Sequence, residues 1–180
     1  MAKTERPRVL IDSSALLATI RDEPSAARLD GLLGFIDRGE AHLVESVLVL
    51  AEVYKTSQSA TPAERDEQNA RLDAIRARIE SPGTLLLDVT PPVARKATDF
   101  RDQYHLKLPD AVHLATAVLN RCDWLVTLDR DFPSLGELRM FRMEDLFDQS
   151  ITLPWDNVLQ DELPAEPGNV VHLHPRVASG

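Results

Sequence analysis

The chain has 180 residues, a length that suits one globular domain with a single core. Its apolar content of 43% and charged content of 27% are ordinary for a soluble protein, and no apolar run approaches the roughly 20 residues that span a bilayer. The single Cys122 excludes an internal disulfide and the N-terminus lacks a signal-peptide core, so we expect a cytoplasmic protein.

The net charge of −9 argues against a protein that coats duplex nucleic acid, because phosphate binding normally uses clustered Lys and Arg. It does not exclude a nuclease. Where acidic side chains converge on divalent cations, the bound metal rather than the net charge of the protein meets the phosphate.

The first third of the chain predicts two strands, each followed by helices. The strand Val9-Leu10-Ile11 ends at Asp12, and Ser13 and Ser14 open an apolar helix. The elements that follow are helices over 14–21 and 24–37, a strand over 42–45, and an apolar, buried helix from Val47 to about Gln58 with Ser46 as its cap.

The remaining elements continue the alternation of helices and strands. Thr61, Pro62 and Glu64 form a capping-box signal for an amphipathic helix that we expect to lie outside the core. The other predicted elements are strands over 84–89, 124–127 and 138–141 and helices over 91–104, 108–120 and 143–148.

Strands that alternate with helical stretches of ten or more residues predict βαβ units and a mainly parallel sheet. Ligands of such sheets bind at the carboxyl ends of the strands. We assign residues 1–150 to this domain. Residues 151–180 are a Pro-rich tail, extended or partly disordered, because prolines from Pro154 onward break any periodicity.

Asp12 and Glu52 each have a structural and a functional interpretation. Asp12 follows a strand, where it either caps the next helix or serves a site at the sheet edge. Glu52 lies on an apolar helix, where a buried carboxylate needs a partner. Either it belongs to a functional site, or it pairs with Lys55 or with another buried base. The helical rise puts Glu52 roughly 9 Å from Ser46, so spacing alone does not bring it to the edge where Asp12 lies.

Asp110 and Asp129 are placed by the same topology. Asp110 follows Pro109 in the first turn of a helix, which favours an acid whatever the function, but this turn also lies at the predicted ligand edge. Asp129 follows the strand that ends in Thr127. Asp131, close behind, fits an ordinary loop acid better than Asp129 does.

Asp12, Asp110 and Asp129 are therefore expected at one edge of one sheet. Two carboxylates about 4 Å apart repel by about 4 kcal/mol at an effective dielectric constant near 20, so such a cluster needs a cation or protons. Ligation by oxygen alone favours Mg²⁺ or Mn²⁺ over zinc.

At this point the sequence resembles the PIN-domain family, and in particular the VapC-type toxin ribonucleases of bacterial toxin–antitoxin pairs. The resemblance spans Val9 to about Phe147 in the order and approximate spacing of the family. The matching pieces are Val9-Leu10-Ile11-Asp12-Ser13-Ser14-Ala15, Ser46 with Glu52-Val53, Leu108-Pro109-Asp110-Ala111 with Ala115-Thr116-Ala117, and Leu125 to Phe132.

The resemblance implies a three-layer α/β/α sandwich and an endoribonuclease that depends on Mg²⁺ or Mn²⁺. Asp12 and Asp110 would be the central metal ligands, Glu52 and Asp129 would complete the pocket, and Asp131 would be an auxiliary ligand. Thr127 would orient a carboxylate or a water. The implied partners are an RNA substrate, an antitoxin that covers the pocket, and a second copy of the chain in a homodimer.

Two features depart from the resemblance and two other functions stay open. The helix from Thr61 to Glu80 is longer and more charged than a minimal toxin needs, and the tail lies beyond the match. A phosphatase with an aspartate nucleophile needs a second Asp two residues after Asp12, where this chain has Ser14. A non-catalytic scaffold of the same fold is the other alternative.

Three further polar residues lie close to the predicted acids in the sequence. His113 follows Asp110 by three residues, and we expect it on the helix surface rather than at the site. Arg121 and Arg130 lie near the predicted pocket, where they are candidates for contacts to RNA phosphates.

Overall fold

The structure is a computed structural model, and it describes residues 6–20, 26–53 and 61–156. Its helices and strands follow the predicted order. They are β1 (Arg8–Ile11), α1 (Ser13–Ile20), α2 (Ala26–Asp37), β2 (His42–Ser46), α3 (Leu48–Val53), α4 (Pro62–Ile79), β3 (Leu85–Leu87), α5 (Pro91–Tyr104), α6 (Leu108–Leu119), β4 (Trp124–Val126), β5 (Arg139–Phe141) and α7 (Met143–Phe147).

The strands form one parallel sheet in the order β3-β2-β1-β4-β5. The chain adds β2 and β3 on one side of β1 and then crosses to add β4 and β5 on the other. The direction of strand addition therefore switches between β1 and β4, and the carboxyl ends of these two strands flank the crevice where such sheets bind ligands.

Helices cover both faces of the sheet, as the predicted α/β/α sandwich requires. Val9 and Ile11 of β1 face the core formed with α1–α4 and α7, whereas Leu10 faces the core formed with α5 and α6. This alternation follows from the two-residue period of a strand, and burial on both faces explains why β1 is apolar throughout.

The predicted capping box of α4 is present. The Thr61 hydroxyl accepts from the Glu64 amide and the Glu64 carboxylate accepts from the Thr61 amide. Leu72, Ile75 and Ile79 are buried in the core on the α1–α4 side of the sheet. The expectation that this helix lies outside the core is therefore wrong for its apolar stripe, while its charged faces are exposed.

Ordered packing continues past residue 150. Leu153 and Trp155 are fully buried, and the Trp155 indole nitrogen donates to the Arg28 carbonyl over 2.9 Å. The division into a domain over 1–150 and a tail over 151–180 stays a prediction, because residues 157–180 lie outside the described part of the chain. The predicted end of the buried helix at Gln58 also lies outside it.

Within the residues that the structure describes, no helix is both long enough and apolar enough to cross a membrane.

Candidate active site

Four of the predicted site residues lie around the crevice between β1 and β4. Asp12 directly follows β1, Thr127 directly follows β4, and the Asp12 amide donates to the Val126 carbonyl over 2.9 Å. Asp110 lies in the first turn of α6, and Asp129 lies two residues beyond Thr127. The topology thus brings residues from distant parts of the sequence to one edge of the sheet.

Asp12 is 2% exposed and uses its two carboxylate oxygens differently. Oδ2 accepts from the Ser14 hydroxyl over 2.5 Å, from the Ser14 amide over 3.3 Å and from the Thr127 hydroxyl over 3.1 Å. Oδ1 is buried and has no hydrogen-bond partner among the described residues. Asp12 therefore has the contacts of a helix cap through one oxygen and leaves the other oxygen available as a ligand.

Ser14 and Thr127 link the loop after β4 to Asp12. The Thr127 hydroxyl donates to Asp12 and accepts from the Asp129 amide over 3.0 Å, while the Ser14 hydroxyl accepts from the Leu128 amide over 3.1 Å. Each hydroxyl thereby uses its one hydrogen on the carboxylate and a lone pair on the loop. This network holds the Asp12 carboxylate and the backbone of Asp129 in a fixed relation.

Asp110 is half-buried, and its pKa is raised to about 6. Burial is the largest cause, the negative charges of Asp12 and Asp129 add to it, and Lys107 and His113 oppose it. Like charges raise the pKa of an acid only when they lie near it, so the part of this shift that comes from Asp12 and Asp129 indicates that both lie near Asp110.

Asp129 and Asp131 form the turn after β4. Asp129 Oδ1 accepts from the Asp131 amide over 2.9 Å, and the Asp131 side chain is exposed. Asp131 therefore supports the turn through its backbone, and its predicted auxiliary role stays a prediction.

Glu52 is paired with a buried base, which is one of its predicted structural alternatives. Glu52 Oε2 lies 2.7 Å from His113 Nε2, and His113 is completely buried. When Glu52 is ionised its oxygens only accept, and His113 Nε2 is then the donor of this hydrogen bond. The expectation that His113 lies on the helix surface is wrong, because α6 is buried on nearly all sides between the sheet and α5. The alternative partner Lys55 lies outside the described residues.

Glu45 is an acid that the sequence reasoning missed. It is completely buried in β2, and its Oε1 accepts from the Ile11 amide over 3.2 Å. Its pKa is raised well above the usual value, chiefly by burial and further by the charges of Asp12 and Glu52, while the Ile11 hydrogen bond opposes the shift. The available signal was an acid at the end of a predicted strand, because the strands of a mainly parallel sheet are covered on both faces.

The donor types fit a hard divalent cation, but the side chains as they stand do not form a finished coordination site. Carboxylate oxygens are the preferred ligands of Mg²⁺ and Mn²⁺, and the buried Oδ1 of Asp12 is such a donor without a partner in the described chain. However, no group of three His, Cys, Asp or Glu side chains within the described ranges is arranged to hold a metal ion.

A separate cavity of about 500 Å³ lies at the opposite edge of the sheet, between α5 and the segment that joins α6 to β4. Arg121 and Cys122 line it, together with Phe100 and Tyr104. The acids at the crevice between β1 and β4 do not line this cavity. The expectation that Arg121 lies near the acidic pocket is therefore wrong, because α6 carries it to the other end of the molecule.

Comparison with known proteins identifies the domain. The sequence matches the family model described as PIN domain over residues 9–138. A search of curated protein sequences gave no match.

Similar solved structures share this fold. A toxin–antitoxin complex from Klebsiella pneumoniae is 21% identical, with a TM-score of 0.51 over 72% of this chain and 94% of that one. VapBC2 from Rickettsia felis, bound to a promoter DNA fragment, is 16% identical, with a TM-score of 0.54 and coverages of 75% and 98%. VapC20 from Mycobacterium tuberculosis, described as a sarcin–ricin-loop-cleaving toxin, is 16% identical, with a TM-score of 0.50 and coverages of 68% and 91%. At these identities the likeness establishes the fold.

Proposed function

Because the chain belongs to the PIN-domain family, we propose that it is a metal-dependent endoribonuclease that hydrolyses RNA phosphodiester bonds as the toxin of a toxin–antitoxin pair. The proposal rests on the position of three acids at the crevice between β1 and β4: Asp12 follows β1, Asp129 lies just beyond β4, and Asp110 lies in the first turn of α6. There the pKa of Asp110 is raised in part by the other two charges, and Asp12 Oδ1 has no partner among the described residues. The raised pKa of Asp110 and the unpartnered oxygen of Asp12 both favour the binding of a cation.

In this proposal Asp12 and Asp110 are the central ligands of Mg²⁺ or Mn²⁺. Glu52 and Asp129 complete the set, and Asp131 is auxiliary. A bound ion of this kind lowers the pKa of an attacking water and stabilises charge on the phosphate. Because the side chains do not form a finished site as they stand, we expect carboxylates to reorient when the ion binds.

The residues around the acids have supporting roles that the contacts suggest. Thr127 and Ser14 hold Asp12 Oδ2, so that Oδ1 is left for the ion. His113 donates to Glu52 and orients it, as outer partners of metal ligands commonly do. The side chains of Lys107 and Arg130 are exposed beside Asp110 and Asp129, where we expect them to contact RNA phosphates.

The nucleophile in this proposal is water rather than a side chain. Cys122 is buried at the opposite edge of the sheet, and burial is the main reason that its pKa is raised to about 12. Such a thiol is not ionised near neutral pH, and it lines the cavity at the opposite edge rather than the crevice between β1 and β4.

The partners are proposed from the similar structures. The Klebsiella and Rickettsia proteins were solved as toxin–antitoxin assemblies, and we propose an antitoxin that covers the acidic crevice of this chain. A basic side chain of the antitoxin would meet the carboxylates in a charge-assisted contact. We further propose that the protein is cytoplasmic and forms a homodimer.

The two alternatives differ in the observations that favour them. A non-catalytic scaffold is favoured by the Glu52–His113 pair, because a buried base already binds one oxygen of a proposed ligand. An aspartyl phosphatase is disfavoured because such an enzyme needs a second acid to protonate the leaving group. At that position this chain has Ser14, whose hydroxyl donates a hydrogen bond to Asp12.

RNA cleavage tests the proposal. The purified chain, freed of any co-purifying antitoxin, is incubated with a mixed tRNA and rRNA pool in Mg²⁺ or Mn²⁺, with EDTA as a control. We expect specific cuts that disappear in EDTA and fall at least 100-fold in Asp12→Asn, which should fold as stably as the parent or more so because a buried charge is removed.

Asp102→Asn is the matched control, because it removes an exposed acid of α5, a helix that carries no proposed ligand. It should cut like the parent. Cleavage that survives in Asp12→Asn would refute the proposed site. An Asp12→Asn protein that unfolds would show that Asp12 is needed chiefly as a helix cap. If the parent makes no cuts in either metal, the scaffold alternative gains.

A further inference from the structure

The two strands β1 and β2 separate at the edge where Asp12 lies. β1 pairs with β4 through Ile11 and Val126, at the last residue of β1. Its pairing with β2 ends two residues earlier, at Val9 and Leu43, although β2 continues to pair with β3 through Ser46. We call this opening between the ends of β1 and β2 the strand fork.

The Glu45 side chain fills the strand fork. The His42 amide donates to the Pro7 carbonyl, so a parallel ladder that continued in this register would join the Ile11 amide to the Val44 carbonyl. The ladder stops before that pair, and the Ile11 amide donates to Glu45 Oε1 over 3.2 Å instead. The carboxyl group thus takes the place of a backbone acceptor for a buried N–H group, which otherwise lacks one.

The contact between the Ile11 amide and Glu45 lies one residue before Asp12 in the chain. On one side, the Asp12 amide is bound to the Val126 carbonyl of β4; on the other side, the preceding residue is bound to Glu45. Glu45 is completely buried, and its other oxygen, Oε2, has no hydrogen-bond partner in the described ranges. The charges of Asp12 and Glu52 both act on the Glu45 carboxyl, so it lies close to two of the proposed ligands.

We propose that Glu45 is a positioning residue of the acidic site: by accepting from the Ile11 amide in the strand fork, it fixes the end of β1 and thereby the position of Asp12. The inference rests on the proposed function, because it concerns the site at which the cation binds. Glu45 acts through the backbone of β1 and does not itself contact the ion. A neutral carboxyl or a carboxamide can fill the same position, since either offers an acceptor oxygen to the N–H group.

Three variants separate this role from its competitors. Glu45→Gln keeps the acceptor and removes the charge, whereas Glu45→Met keeps a similar length and volume and removes the acceptor. Leu43→Ala is the matched control for general loss of stability, because Leu43 is also completely buried and lies two residues earlier on the same face of β2.

Two measurements are made on each variant below its melting temperature. The first is the dissociation constant of Mn²⁺, determined by titration of the metal-free protein. The second is the hydrogen-exchange rate of the Ile11 amide in the metal-free protein, read by NMR. We expect Glu45→Met to weaken Mn²⁺ binding at least tenfold and to speed Ile11 exchange at least tenfold. Glu45→Gln should stay within threefold of the parent in both, and Leu43→Ala should do so in Mn²⁺ binding.

Three results would overturn the inference. Unchanged Mn²⁺ binding in Glu45→Met would show that the contact does not position Asp12. Equal losses in Glu45→Gln and Glu45→Met would show that the Glu45 charge itself meets the ion. An equal loss in Leu43→Ala would show that any destabilisation of β2 is sufficient.

Failure of the proposed function gives a different result. If the parent does not bind Mn²⁺, the proposed metal site is refuted, and the exchange rate of Ile11 in the Gln and Met variants still decides whether Glu45 holds β1.

Should Glu45→Met fail to fold, Glu45→Asp replaces it, because its carboxyl is one methylene shorter and falls short of the Ile11 amide. Glu45→Asp should then show the losses expected of the Met variant.

Discussion

At the scale of single residues, the raised pKa of Asp110 predicts a pH dependence of stability. Its pKa of about 6 lies above the usual value of 3.8, chiefly because burial disfavours the charged form. The folded protein therefore favours the protonated acid, and this stabilisation is complete below about pH 4 and lost as the pH rises through 6. Because Asp110 is only half-buried, we expect the metal-free protein to lose on the order of 1 kcal/mol of unfolding free energy between pH 5 and pH 7.5.

Urea unfolding in EDTA at several pH values measures this dependence. Asp110→Asn should remove the Asp110 part of it, while the part due to Glu45, which has the same sign, should remain. Asp99→Asn, an exposed acid of α5, should leave the whole pH profile in place. Parallel profiles for the parent and Asp110→Asn would show that Asp110 titrates in the folded protein as it does in the unfolded chain.

At the scale of elements, the segment after α7 behaves as part of the domain. The Arg28 guanidinium of α2 donates to the carbonyls of Asp145, Asp148 and Ile151 and forms a 3.4 Å ion pair with Asp156. The Trp155 ring packs edge-on against Phe141, with ring centroids 4.9 Å apart. Polar contacts to α2 and aromatic packing on β5 therefore hold this segment in place.

Removing the Trp155 ring tests how much stability this segment provides. Trp155→Ala should lower the free energy of unfolding by about 3–5 kcal/mol, because a fully buried aromatic side chain is replaced by a cavity. Chemical denaturation is the measurement, and Phe147→Ala is the control because Phe147 is 42% exposed. The control should cost far less. Equal and small losses would mean that the segment after residue 150 packs only loosely on the domain.

At the scale of the whole molecule, the protein carries a net charge of −9 and brings several acids to one edge. A divalent cation that binds only the folded state should raise its stability. At a Mn²⁺ concentration of about 100 times the dissociation constant, linkage gives about 2.7 kcal/mol, which is a rise in melting temperature of about 5–10 °C for a domain of this size.

Thermal unfolding with and without Mn²⁺ tests this prediction. Asp12→Asn should lose most of the rise, and Asp102→Asn should keep it. A parent protein whose melting temperature does not change at millimolar Mn²⁺ would contradict a cation site in the folded, RNA-free protein. A rise that is equal in parent and Asp12→Asn would place the bound ion elsewhere on the acidic surface.

Local sequence patterns were sufficient to predict the order and type of the elements. Apolar runs, caps and Pro-Gly breaks act over a few residues, so the β1 strand and the capping box at Thr61 are readable without the fold. The placement of Asp12, Asp110 and Asp129 at one edge was predictable as well, because the carboxyl ends of parallel strands and the start of the following helices share an edge.

Only the tertiary structure decided which buried polar side chains contact one another near the acidic edge. Glu52 and His113 are 61 residues apart, and their contact depends on how α3 and α6 pack against the sheet. The position of Glu45 depends on where the pairing of β1 with β2 stops. Periodicity shows which face of an element is buried, but long-range packing and strand register decide what each buried polar group contacts. For that reason the sequence predicted the acidic edge but not the burial of Glu45 and His113.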